Sequence, residues 1–158
     1  MSDDHATGRD VDLHVPARRA GTSRTAPWST LGAVAAGGAC GALARYGVAA
    51  AFGHPAGAFA WATFTVNVSG CLLIGILMVA ITEVWAAHRL VRPFLGVGAL
   101  GGYTTFSTYA VDAQRAVEAG SPATALVYLA VTPVCALAAV LAGARLARAL
   151  LPARAEGR

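Results

Sequence analysis

Charge is scarce in this sequence. Asp, Glu, Lys and Arg make up 13% of its 158 residues, against about 25% in a soluble domain. Lysine is absent, so all 12 basic residues are arginines. Cysteine occurs only as Cys40, Cys71 and Cys135. An odd count without metal-ligand spacing argues against a disulfide framework, and the three read as small buried hydrophobes. There is no Walker loop, no His/Cys metal cluster and no Ser/His/Asp constellation. His5 and His14 fall in the N-terminal tail, His54 and His88 in turns. The pI of about 9.4 comes without a basic cluster interleaved with aromatics, so nucleic acid is not indicated as a partner. These absences exclude a disordered protein, a collagen and an ordinary cytosolic enzyme.

What is abundant is apolar sequence, at 56% hydrophobic residues and a mean hydropathy of +0.58. No charge occurs in Thr25–Ala44, Tyr46–Thr82, Pro93–Val111 or Ala119–Ala144. About 20 apolar residues in a helix cross a hydrocarbon core of about 30 Å. The longest run must hold a turn, and Gly53-His54-Pro55-Ala56-Gly57 supplies it. The pattern predicts an all-α membrane protein with four transmembrane helices, at about 28–51, 60–84, 92–117 and 122–149. The runs are continuously apolar and lack the period-2 alternation of a membrane barrel. No segment has the wide polar face of a soluble bundle. Residues 1–27 read as a disordered, mixed-charge tail, not a signal peptide, and 152–158 as a short C-terminal tail around the 28–151 transmembrane domain.

Four spans put both termini and the loop between helices two and three on one side. That side carries Arg9, Arg18, Arg19, Arg24, Arg89, Arg92, Arg145, Arg148, Arg154 and Arg158, and the other only Arg45 and Arg115. The positive-inside rule then makes the termini cytoplasmic.

A strongly polar residue inside a span is costly and is a functional candidate by default. Arg45, toward the end of the first span, reads either as a snorkelling anchor or as an electrostatic element of a pore mouth. Gly37 and Gly41 before it form a small-xxx-small pair. Asn67 is the sole Asn, and it shares a face of helix two with Thr63 and Gly70. Its amide suits an interhelical hydrogen bond, and equally an uncharged donor to an anion.

Helix three crowds Gly96, Gly98, Gly101 and Gly102 with Thr104, Thr105, Ser107 and Thr108. Gly-Gly is a poor helix interior. The glycines either permit close packing or mark a break near Gly101 to Thr104. A break would free carbonyls for a hard cation such as Na⁺. Phe106 and Tyr109 share a face, as core packing or as ring edges that meet an anion. Tyr128 and Thr132 share a face of helix four, just before Pro133. Asp112, Arg115 and Glu118 read as an interfacial charge cluster.

Three strings, GGACGALARY (37–46), TFTVNVSG (63–70) and GVGALGGYTTFSTY (96–109), resemble the signature regions of the Fluc/CrcB family of bacterial fluoride channels. The likeness runs in order over about residues 30–150. It implies an antiparallel dimer of four-helix subunits with two pores, in the bacterial plasma membrane. It implies passive fluoride efflux, and a structural Na⁺ held by backbone carbonyls at Gly101 and Thr104. Fluoride would be lined by Asn67, Phe106 and Tyr109, with polar tracks on Ser107 and Thr108 and on Tyr128 and Thr132. The family's helix-one Arg matches Arg45. Three positions depart from the family pattern: Tyr109 is usually Phe, Asp112 is commonly Glu, and Ala136 replaces a polar residue. Many members are dual-topology homodimers and others pair two oppositely oriented subunits. The ten-to-two arginine bias suits a heterodimer. Two other readings are a non-transporting membrane assembly subunit and a small four-helix drug or cation exporter. The exporter would want a deep carboxylate, and Glu83 lies near a helix end with no acidic residue expected deeper.

Overall fold

The computed structural model describes residues 28–84 and 88–151, and the expected tails at 1–27 and 152–158 lie outside the described residues. The described elements are all helical. Helix α1 spans Trp28–Ala51, and α2 spans Trp61–Val79 with a wider, π-pitched end at Ala80–Val84. Helix α3 runs with π pitch over Arg92–Leu100 and closes with an α-helical turn, Gly101–Tyr103. Helix α4 is Ser107–Glu118 and α5 is Pro122–Leu150. Three of these, α1, α2 through Val84 and α5, are long and apolar enough to cross a membrane. The expected third span is two short helices, as a break within it implies.

The break falls at the last residue of the expected Gly101–Thr104 stretch. Gly101 and Gly102 stay helical, and the chain turns extended at Thr104 (ψ 156°). Gly102 is occupied with packing, since a Cβ there would stand 2.5 Å from the carbonyl oxygen of Gly38. The glycine-rich surface of α3 thus serves its contact with α1. At Gly98, a Cβ would stand 2.7 Å from the Val34 carbonyl oxygen. Gly75 of α2 meets the Val140 carbonyl in the same way, and Gly143 of α5 meets that of Leu72. These crossings, α1 on α3 and α2 on α5, are the main helix contacts of the bundle. Both are of the small-residue kind that lets backbones approach closely.

Gly120, at φ 77°, ends α4. Its N–H donates to the Val117 carbonyl at 2.9 Å, and the Ser121 N–H donates to that of Ala116 at 2.9 Å. This paired closure favours glycine at the left-handed position.

Buried side chains are few. Ala60, Ala113 and Tyr128 form a small core, with Phe59, Phe64 and Tyr109 packed against it. Leu43, Leu126 and Leu137 are 71%, 68% and 69% exposed, which suits lipid or a protein partner rather than water. Two expectations fail here. Cys40 is exposed, because α1 turns Gly37 and Gly41 inward instead. Asp112 is buried, so it does not belong to a surface cluster with the exposed Arg115 and Glu118. Glu83 accepts from Arg148 through two guanidinium nitrogens at 2.8 and 3.0 Å, tying the end of α2 to that of α5.

Candidate functional site

The joint between α3 and α4 is braced from α2 by the side chain of Asn67. Asn67 of α2 accepts the Thr105 backbone N–H at 2.8 Å through Oδ1. Its Nδ2 donates to the Thr105 carbonyl at 2.9 Å. The amide therefore mimics a neighbouring peptide unit and satisfies both backbone groups of a residue outside any helix. This is the interhelical hydrogen bond expected of Asn67. One Nδ2 proton remains beyond it, because the amide has two.

The same joint frees carbonyl oxygens. In an unbroken helix the Gly101 carbonyl would accept from the Thr105 N–H, which here goes to Asn67. The Thr104 carbonyl would accept from the Thr108 N–H, which here goes to the Thr105 hydroxyl at 3.2 Å. That second bond reaches three residues forward, as a helix-capping side chain does. Thr105 thus starts α4 while Asn67 ends α3. Gly101 and Thr104 are left with oxygen donors that the helix does not use.

A cavity of about 650 Å³ opens beside this joint. Asn67, Gly101, Thr104, Phe106, Tyr109 and Thr132 all line it, so six of the sequence-derived candidates come together. The lining side chains are all uncharged. Phe106 is 79% exposed, and its ring centroid lies 5.6 Å from that of Tyr109. The Thr132 hydroxyl is buried without a hydrogen-bond partner, an unusual state for a polar group.

The other candidates stand elsewhere. Tyr128 does not line the cavity. It is 2% exposed, lies 5.1 Å from Tyr109 between ring centroids, and also carries a buried hydroxyl without a partner. Thr108 and Arg45 line a second cavity of about 360 Å³ with Tyr46, Thr63 and Thr105. Ser107 is exposed at the start of α4, with its hydroxyl 3.3 Å from that of Thr105.

Two residues were undervalued by sequence reasoning. Thr105 lines both cavities and anchors the joint. Its signal was a Thr three residues before another hydroxyl residue, at a place where a helix restarts. Asp112 is the second. Its Oδ2 accepts from the Thr63 hydroxyl at 2.6 Å, buried between α2 and α4. It is buried where Glu83 is exposed, but it pairs with the first turn of α2 and so also lies near an end of that helix. Because α4 starts only at Ser107, Asp112 lies in its middle and faces the core instead of closing a long helix. A third cavity, with His54, Gly57 and Arg115 in its lining, also reaches Asp112.

Residues 32–144 match the family described as CrcB-like protein, Camphor Resistance (CrcB). The chain belongs to the CrcB family. Among its relatives, a Streptomyces coelicolor protein named Fluoride-specific ion channel FluC 1 is 51% identical over 92% of this chain and 94% of its own length. A Streptomyces avermitilis protein named Fluoride-specific ion channel FluC 2 is 54% identical over 77% of each chain. One from Thermobifida fusca, also named FluC 2, is 52% identical over 82% of this chain and 96% of its own. These CrcB relatives are named as ion channels, not enzymes. With three apolar membrane-length helices in this chain, they make it a multi-pass membrane protein.

Proposed function

We propose that the chain is a subunit of a fluoride-specific channel, giving passive fluoride efflux across the plasma membrane. The observation that carries this reading is the uncharged cavity at the α3–α4 joint, a mainly apolar wall set with a few polar groups. The names of the relatives agree with it. A membrane-buried anion needs donors, yet a fixed positive charge would hold it too tightly to leave. The cavity offers the remaining Asn67 N–H and the positive edges of the Phe106 and Tyr109 rings. Ser107, Thr108 and Tyr128 would extend the polar track, and Arg45 would draw anions toward the second cavity. HF that enters from acid surroundings ionises inside, and the anion leaves down its electrochemical gradient. The α3–α4 pair serves as the third span in chain order. Its irregular backbone is tolerable at membrane depth only against protein or a cavity.

The freed carbonyls of Gly101 and Thr104 fit a structural Na⁺, since hard cations take oxygen donors. The ion would brace the broken helix by neutralising dipoles that the helix leaves unpaired. Gly101 is exposed, so a second copy could add its own carbonyls. An antiparallel dimer would also cover the exposed Phe106. The arginine bias favours two oppositely oriented homologues over one dual-topology chain. Streptomyces avermitilis supports that, since it has proteins named FluC 2 and FluC 3 that are both related to this chain.

A second reading has one observation in its favour. Asn67 is engaged as structural glue, as an assembly subunit would require. Growth separates the two readings. In a bacterium stripped of its own fluoride export, expression of the chain, alone or with an oppositely oriented homologue, is expected to restore growth in fluoride. Membrane-inserted protein without any rescue in either form would favour the assembly reading.

A further inference from the structure

Pro133 lies inside α5 and has no N–H. It leaves the Leu129 carbonyl, four residues earlier, without its helical donor. An unpaired carbonyl at membrane depth is costly. Here the Tyr109 hydroxyl of α4 donates to that oxygen at 2.7 Å. Tyr109 and Pro133 both line the cavity of the α3–α4 joint. The proline thus exposes an acceptor on one wall, and the phenol reaches across to take it.

We infer that Tyr109 is a positioning residue whose hydroxyl replaces the amide missing at Pro133 and thereby fixes its own ring at the cavity wall. A phenol has a single O–H, and Leu129 takes it. The ring edge therefore remains for an anion while the hydroxyl proton does not. The hydroxyl is thereby taken out of use as a donor to an ion. It also links α4 to α5 across the cavity, where the Tyr128 ring supports the Tyr109 ring from the α5 side. The consequence for transport rests on the channel reading, whereas the tether itself does not.

A double-mutant cycle with Tyr109→Phe and Pro133→Ala tests both parts. In detergent micelles, Tyr109→Phe is expected to lower the folding equilibrium constant about three- to twenty-fold, the range of single interhelical hydrogen bonds in membrane proteins. In the Pro133→Ala background the same change should cost markedly less, because alanine returns an N–H to Leu129 and the phenol is no longer its only donor. Equal losses in the two backgrounds would overturn the tether. In proteoliposomes, Tyr109→Phe should lower fluoride efflux, and the same change added to Pro133→Ala should lower it by a smaller factor. Losses that multiply in the double variant, or full efflux from Tyr109→Phe, would overturn the positioning role. A wild-type chain that moves no fluoride, alone or with an oppositely oriented homologue, would sink the channel reading instead. The unfolding cycle would then decide the tether unaided.

Discussion

Replacing Asn67 with alanine is expected to abolish fluoride efflux and to loosen the bundle in the same step. Both hydrogen bonds to Thr105 disappear. At about 0.6 kcal/mol each, and at most about 1.7, their loss alone is survivable for the fold. The joint suffers more, because a non-helical peptide unit is left unsatisfied at membrane depth. Asn67→Asp separates glue from conduction. Its carboxylate still accepts the Thr105 N–H, but it brings no donor for an anion and adds a repelling charge. Folded Asn67→Asp protein with efflux reduced at least about tenfold would assign Asn67 to the pore as well as to the joint. Wild-type efflux from that variant would leave it glue only. Size-exclusion profiles and fluoride-electrode recordings on the same preparations give both readouts.

The second large effect is expected at Gly143. A Cβ there would run into the Leu72 carbonyl, and backbone cannot yield as a flexible side chain does. Gly143→Val should force α5 away from α2 along their main crossing. Overpacking a well-fitted contact costs about 1–3 kcal/mol, and more when backbones must separate. The expected outcome is failure to recover monodisperse protein. Gly32→Ala is the control, because nothing lies within 4 Å of the Cβ it would add. In an α1 position open on that side it should stabilise by about 0.5–1 kcal/mol. Equal recovery of Gly143→Val and Gly32→Ala would show that the α2–α5 contact is not the constraint described.

Much of this arrangement was legible in the residues, for physical reasons. Apolar runs of membrane length set the ends of α1, α2 and α5 within a residue or so of Trp28–Ala51, Trp61–Val84 and Pro122–Leu150. A lone Asn in such a run had to find partners, and it found Thr105. The break in the third run was legible to within the Gly101–Thr104 stretch, but not why it falls at Thr104. Gly-Gly suggests weakness, yet glycine's other property, letting backbones approach, claimed Gly102 for α1. Where the helix gives way was decided by which amides side chains could take over, a matter of Asn67 and Thr105 meeting across 38 residues of sequence. Asp112 was misread for a related reason. Its spacing from Arg115 and Glu118 describes one helix, while its burial depends on Thr63 of another. The Tyr109–Leu129 bond was likewise invisible, because sequence marks the missing amide at Pro133 but not the hydroxyl that replaces it.

Fluoride is expected to pass while a similar, larger halide does not. The most direct test is anion efflux from proteoliposomes loaded with fluoride or chloride, prepared with the purified chain alone and with an oppositely oriented homologue. The account expects fluoride efflux without chloride efflux in at least one of the two preparations. Chloride efflux equal to that of fluoride, or no efflux of either anion from both preparations, would contradict it.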